Sequence, residues 1–155
     1  ATVVYLYRET IASLPTLAVF LPVVAGMGGN SGTQALALTV RSLALREVRW
    51  KNIRKVFTKE LLVGISNGMV LGLLSGGVGY IWSGRNPSVG VALAGAMLCT
   101  ILLSGILGTL IPMILNRVGI DPAVSSGIFL HTLTDVIGFF SFLALAAFFL
   151  GAFGG

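Results

Sequence analysis

Four long apolar stretches dominate the chain, and short polar segments separate them. They cover residues 11–45, 61–82, 88–115 and 122–150. Because a membrane-spanning helix needs about 20 predominantly apolar residues, each stretch predicts one complete span. Segment 1–7 (ATVVYLY) is typical of the end of an earlier span, so we expect the natural protein to continue upstream. The predicted fold class is an all-α, polytopic transmembrane helix bundle.

The composition supports this prediction. Of the 155 residues, 55% are hydrophobic and only 10% are charged, and the mean hydropathy is +0.98. These values lie far from the average of soluble domains. Cys99 is the single cysteine, which excludes an intrachain disulfide.

Basic residues concentrate in and beside the loop 46–59, between the first two stretches. They are Arg41, Arg46, Arg49, Lys51, Arg54, Lys55 and Lys59. In a soluble protein such a run would suggest nucleic-acid binding. Between two spans, the excess of positive charge in cytoplasmic loops is the ordinary cause, so no nucleic-acid partner is expected. We therefore predict a cytoplasmic loop 46–59, which places both ends of this chain outside.

Glycines recur at every fourth position of the second stretch, at Gly64, Gly68, Gly72 and Gly76. That spacing places them on one ridge of a helix and lets a neighbouring backbone approach closely. The ridge predicts helix packing rather than chemistry.

The first stretch contains the poorest helix-forming run of the chain. Its members are Pro22, Gly26, Gly28, Gly29, Asn30 and Gly32. We expect a break there, with freed carbonyl groups lining a cavity. Gly26, Gly29 and Thr33 would share one stripe, which overlaps a second stripe of Asn30 and Gln34. The alternative is that the glycines pack tightly against another helix.

Asp135 is the one carboxylate within stretch 122–150, and it lies near the middle. A charge at that depth costs roughly 2.5–3.5 kcal/mol, so we expect it to face the bundle interior or water. His131 lies one turn before it and Gly138 lies three residues after it. Lys and Arg residues occur only in loops or near span ends, which favours an ion path over a buried ion pair. His131 is more typical of a hydrogen-bonded packing residue than of a metal ligand.

Two segments resemble the MgtE-type magnesium channel family: PVVAGMGGNSGTQALALTVRSLAL (22–45) and DPAVSSGIFLHTLTDVIGFF (121–140). The resemblance extends over essentially the whole chain. It implies a homodimer whose pore follows the twofold axis, with cytoplasmic regulatory domains upstream. It also implies that Asp135 binds hydrated Mg²⁺ at the pore centre. The residues that match pore-lining positions are Gly26, Gly29, Asn30 and Thr33.

Two positions depart from the family pattern. His131 stands where the family commonly has a small or hydroxyl residue, and Gly127 stands where some members place an amide. Because imidazole suits transition metals, Mn²⁺, Co²⁺ or Ni²⁺ are further candidate ions.

The expected function is a magnesium-selective channel that conducts hydrated Mg²⁺ down its gradient. Asp135 is the expected metal site, and the expected pore-lining residues are Gly26, Gly29, Asn30, Thr33, Gln34, His131 and Gly138. The alternative is a secondary divalent-cation transporter coupled to H⁺ or Na⁺, although the chain shows no convincing inverted repeat. An enzyme is disfavoured, because no nucleophile–base pair, HExxH motif or pair of catalytic carboxylates occurs.

Overall fold

The computed structural model of the protein describes residues 1–47 and 53–153. Those residues form α1 (Thr2–Leu6), α2 (Arg8–Ser13), α3 (Thr16–Ala44), α4 (Ile53–Trp82), α5 (Pro87–Arg117) and α6 (Pro122–Phe153). No strand occurs in these ranges, which confirms the all-α prediction. The predicted loop 46–59 is shorter than expected, because α4 begins at Ile53. Its residues 48–52, which include Arg49 and Lys51, lie outside the described residues.

Three helices of the described part are long and apolar enough to cross a membrane: Ile53–Trp82, Pro87–Arg117 and Ser126–Gly151. They correspond to predicted spans two to four. The first predicted span, 11–45, is divided into α2 and α3. Leu14, between them, is extended (φ −143°, ψ 85°), because the ring of Pro15 disfavours a helical conformation in the residue before it.

The glycine run does not break α3, so the predicted break is wrong. The helix continues from Thr16 to Ala44 with Pro22 inside it. Its glycines instead allow close packing against α5 and α6. A Cβ atom built on Gly28 would lie 3.2 Å from Ser104 Oγ, and one built on Gly32 would lie 3.0 Å from Leu130 Cδ1. Tertiary packing of this kind outweighs low helix propensity, and the backbone carbonyls stay within the helix.

The glycine ridge of α4 packs on α5, as its spacing predicts. A Cβ atom built on Gly64 would lie 3.0 Å from Leu102 Cδ1, and one built on Gly68 would lie 2.8 Å from Leu98 Cδ1. A Cβ atom built on Gly72 would lie 2.8 Å from the carbonyl oxygen of Ala94, and one built on Gly76 would lie 2.7 Å from that of Gly90. The four positions are Gly64, Gly68, Gly72 and Gly76. We call these four glycines the glycine seam. Because the contacts on α5 step backwards by four residues while those on α4 step forwards, the two helices are antiparallel.

α5 is the central helix, since α3, α4 and α6 all pack on it. α3 runs parallel to α5, with Gly28 beside Thr100 and Thr39 beside Thr109 further along. An apolar cluster joins the start of α3, the start of α5 and the end of α6, and it includes Leu17, Phe20, Val24, Leu93, Met97 and Phe142. α3 and α4 hardly contact each other. A groove therefore lies between them.

Candidate functional site

The register between α3 and α6 is fixed by two glycine contacts. A Cβ atom on Gly138 would lie 3.4 Å from Val24 Cγ1, and one on Gly29 would lie 3.2 Å from His131 Nδ1. The contacts run in opposite directions along the two helices, so α3 and α6 are antiparallel. Asp135 falls between the two contacts on α6.

On α3, the two contacts are at Val24 and Gly29, and Gly26 lies between them. Asp135 and Gly26 therefore lie at a similar level of the helix pair, and both are exposed. A Cβ atom built on Gly26 would meet nothing within 4 Å. The space in front of α3 is thus open at this level.

Several polar side chains are exposed around this opening. His131 lies one turn from Asp135 on α6, and Asn30 lies one turn from Gly26 on α3; all four residues are exposed. Within the described ranges, neither Asp135 nor His131 has a hydrogen bond or ion pair through its side chain. The carboxylate and the imidazole are consequently available to a ligand.

Thr33 and Gln34 extend the polar surface of α3, and both are exposed. Thr33 Oγ1 donates a hydrogen bond to the carbonyl oxygen of Gly29 at 2.7 Å. That bond satisfies the hydroxyl proton and leaves oxygen lone pairs as acceptors. Gln34 lies on the α4 side and lines a cavity with Glu60 and Asn67.

The structure therefore brings most of the predicted residues to one exposed face and separates two of them. The exposed members are Gly26, Asn30, Thr33, Gln34, His131 and Asp135. Gly29 is buried under the imidazole of His131. Gly138 is buried between Val24 and Thr100, which removes it from the exposed polar face predicted for it. It continues the buried row of Leu130 and Thr134.

Sequence reasoning missed Glu60. The predicted second span began at residue 61, whereas α4 begins at Ile53 and places Glu60 inside an apolar helix. Its carboxylate is partly buried and faces α5, with Oε2 3.6 Å from the position of a Cβ atom on Gly105. The signal that could have found it is the absence of Gly and Pro from residues 53–63, which favours a helix that starts before the apolar run.

The described residues of one chain contain no group of three or more His, Cys, Asp and Glu residues that could hold a metal ion. A divalent ion at Asp135 would thus need additional ligands. Water molecules or residues of a second copy are the available sources, because Mg²⁺ commonly keeps several of its waters when it binds carboxylates.

Long apolar helices that carry an unpaired carboxylate on an exposed polar face are typical of polytopic membrane transport proteins, since such carboxylates often mark ion pathways. The family model of MgtE, described as a divalent cation transporter, matches residues 21–145. The chain belongs to this family. Membership confirms the resemblance found in the sequence.

Three curated relatives are similar over nearly the whole chain. The magnesium transporter MgtE of Enterococcus faecalis is 35% identical over 153 residues, which is 99% of this chain and 34% of the relative. The protein of the same name in Bacillus subtilis is 32% identical over 149 residues, or 96% and 33%. That of Thermus thermophilus is 35% identical over 149 residues, or 94% and 32%. The chain thus spans about a third of the length of these relatives.

Proposed function

We propose that this chain is the pore domain of a magnesium channel, in which two copies conduct hydrated Mg²⁺ down its electrochemical gradient. The observation that carries the proposal is the unpaired, exposed carboxylate of Asp135 on an apolar helix, opposite the open space at Gly26. A charge on a surface of this kind is not tolerated against lipid. Water and a cation are the occupants that satisfy it.

Recognition through the water shell suits this geometry. Mg²⁺ binds its waters tightly and loses them reluctantly. A charge of −1 and a charge of +2 about 5 Å apart, at an effective dielectric constant near 20, attract each other by on the order of 6 kcal/mol before desolvation is subtracted. A monovalent ion gains half as much. Asp135 therefore favours divalent ions without direct contact with the metal.

The surroundings of Asp135 support a homodimer. The apolar side chains of Val124 and Ile128 on α6 are 76% and 75% exposed, and helical spacing places them on the same face as Asp135. A twofold axis beside α6 would bury these side chains and bring a second Asp135 to the same level. The pore-lining set would then be Gly26, Asn30, Thr33, Gln34 and His131, and Gly29 and Gly138 would support it from the buried side.

We also propose that residues 1–155 form one pore domain with loop 46–59 in the cytoplasm and the C-terminal end of this chain outside. The alternation of helix directions supports this arrangement, since α3 and α5 run parallel while α4 and α6 run antiparallel to them. The basic residues of the loop support its cytoplasmic placement.

The test is Asp135→Asn in liposomes with a Mg²⁺ gradient. We expect Mg²⁺ flux to fall by about tenfold or more, on the scale seen when a group that holds a metal's ligands is removed. Helicity should not change, because the side chain has no partner within the described ranges. Glu9→Gln, which neutralises an exposed carboxylate of α2, is the matched control. Unchanged flux in Asp135→Asn would reject the proposal.

A coupled exchanger is the second candidate, and the proximity of His131 to Asp135 favours it, since such pairs relay protons in transporters. Reversal-potential measurements separate the two mechanisms. For a channel, the reversal potential follows the Mg²⁺ gradient alone. For an exchanger, it shifts when pH or the Na⁺ gradient is changed.

A further inference from the structure

The groove between α3 and α4 contains a row of cavities. One cavity, of about 390 Å³, lies where α3 ends and α4 begins, and its lining includes Thr39, Lys55 and Glu60. The next, of about 100 Å³, lies deeper in the groove. Both are lined by Leu38, Lys59 and Glu60. The two cavities are therefore adjacent, and Glu60 stands between them.

The smaller cavity is lined by oxygen donors from two helices. α3 contributes Ser31 and Gln34, and α4 contributes Glu60 and Asn67. Gly105 of α5 forms part of the wall, and a Cβ atom built on it would be in van der Waals contact with Glu60 Oε2 at 3.6 Å. Carboxylate, amide and hydroxyl oxygens are the ligands that hard divalent cations prefer.

Within the described residues, these side chains have no internal partner apart from the positive charge of Lys59 next to Glu60. Among residues 1–47 and 53–153, the side chains of Gln34, Glu60 and Asn67 make no hydrogen bond, and Glu60 makes no ion pair. Glu60 nevertheless lies on a helix apolar enough to cross a membrane. A carboxylate in this setting, with two exposed amides beside it, is satisfied by water or by a cation.

We infer that Glu60, Gln34 and Asn67 form a second site for a hydrated divalent cation, inside each subunit. The inference takes its ion from the proposed function, but it does not depend on the dimer. Because Gln34 follows Thr33 on α3, the site lies beside the exposed polar face that carries Asp135. An ion held there would stand next to the proposed pore.

The cavity volumes leave room for a hydrated ion. A water molecule needs about 10–15 Å³ of space for its centre, so a cavity of about 100 Å³ admits an ion together with several waters. The adjacent cavity of about 390 Å³ is larger. Glu60, Gln34 and Asn67 would hold the ion largely through its waters.

Lys59 provides the rival explanation, because it also lines the smaller cavity. Its ammonium group could serve as the internal counter-charge of Glu60. The two explanations predict opposite effects of Lys59→Gln. Removal of a competing positive charge strengthens cation binding, whereas removal of a structural partner leaves an uncompensated carboxylate and destabilises the protein.

The experiment is titration of the purified full chain in detergent with Mn²⁺, followed by electron paramagnetic resonance. We expect two classes of bound ion. The class that depends on Asp135 should reach one ion per pair of chains, and the class that depends on Glu60 should reach one ion per chain. Glu60→Gln should weaken the second class by about tenfold or more. The matched control Glu47→Gln, an exposed carboxylate after α3, should change neither class.

Asp135→Asn should remove the Mn²⁺ ions that depend on Asp135 and leave those that depend on Glu60. The proposed pore site and the proposed second site can therefore be rejected independently of each other. Gln34→Ala and Asn67→Ala provide variants that remove one donor and no charge, and each should weaken the second class. Lys59→Gln should tighten it several-fold. The inference is overturned if Glu60→Gln keeps the full Mn²⁺ stoichiometry, or if Lys59→Gln binds Mn²⁺ no more tightly than the unsubstituted chain.

Discussion

At the scale of single residues, Gly29 on α3 lies directly against the imidazole ring of His131 on α6, because glycine has no side chain that would keep the ring away. The imidazole edge occupies the space that a side chain at residue 29 would need, since a Cβ atom there would lie 3.2 Å from Nδ1 and 3.4 Å from Cε1. Gly29 thus holds the ring beside α3, one turn from Asp135. We expect Gly29 to position His131.

Gly29→Ala should therefore displace the imidazole by a few tenths of an ångström, so the variant should be less stable, by up to about 1 kcal/mol, than an unobstructed Gly→Ala change in a helix. The double variant Gly29→Ala/His131→Ala should recover most of that loss, because the new methyl group then has room. Denaturation in detergent of the four proteins of this cycle measures the coupling. Simple addition of the two single effects would contradict the contact.

Gly26→Ala is the comparison for Gly29→Ala, because it adds the same methyl group to α3 at an open position. No atom lies within 4 Å of the added Cβ, so stability should stay the same or increase by up to about 1 kcal/mol through helix propensity. The added methyl group would nevertheless occupy the open space opposite Asp135. We expect reduced Mg²⁺ flux in liposomes without loss of stability. Full flux in this variant would argue against Gly26 as a pore-lining residue.

The sequence was informative about single residues where depth in the membrane decides their role. The hydropathy pattern alone placed Asp135 at the middle of an apolar helix, and its exposed position agrees with a wet face. The burial of Gly138 could not be predicted, because the side from which α3 and α5 approach α6 is a tertiary property. Glu60 was missed because a polar first turn hid the start of α4.

At the scale of elements, α3 shows the limit of propensity as a guide. Its composition predicted a break, but Gly28 and Gly32 are placed so that α5 and α6 contact the backbone closely. Packing contributes more to helix stability in a folded bundle than intrinsic preference does. The glycines of the glycine seam in α4 were correctly predicted to pack against a neighbouring helix, because their regular spacing is itself a packing signal.

The glycine seam permits a comparison of neighbouring positions. A Cβ atom on Gly76 would lie 2.7 Å from the carbonyl oxygen of Gly90, whereas one on Gly77 would meet nothing within 4 Å. Gly76→Ala should destabilise the bundle by about 1–3 kcal/mol, and Gly77→Ala should be neutral or stabilise it by up to about 1 kcal/mol. Thermal unfolding in detergent measures both. Equal effects at the two positions would contradict the seam.

At the scale of the whole molecule, the proposed pore requires two copies. Ile128 on α6 and Leu73 on α4 are each 75% exposed, but only Ile128 lies beside the face that carries Asp135. Ile128→Trp should weaken the dimer by about 1–3 kcal/mol through overpacking, whereas Leu73→Trp should leave it unchanged. Light scattering during size-exclusion chromatography gives the mass. A dimer that is equally stable in both variants would place the axis elsewhere.

The whole arrangement was only partly predictable. Apolar lengths gave the number of long segments, and the charge of the loop gave an orientation, but neither property fixes which helices touch. The groove between α3 and α4 arises because both helices pack on α5 instead of on each other. No local pattern in either helix encodes that choice, since it depends on the competition among the other three long helices for the surface of α5.

The glycine seam also bears on how this protein tolerates random substitution. Along α4, Gly64, Gly68, Gly72 and Gly76 accept no added carbon atom without a shift of α5, while Met69, Val70, Leu73 and Leu74 between them are exposed. Saturation mutagenesis of this segment should therefore give a fitness profile with a period of four residues. Substitutions of the seam glycines should reduce growth, whereas apolar substitutions at the exposed positions between them should have little effect. The growth assay would thus show which face of α4 packs on α5.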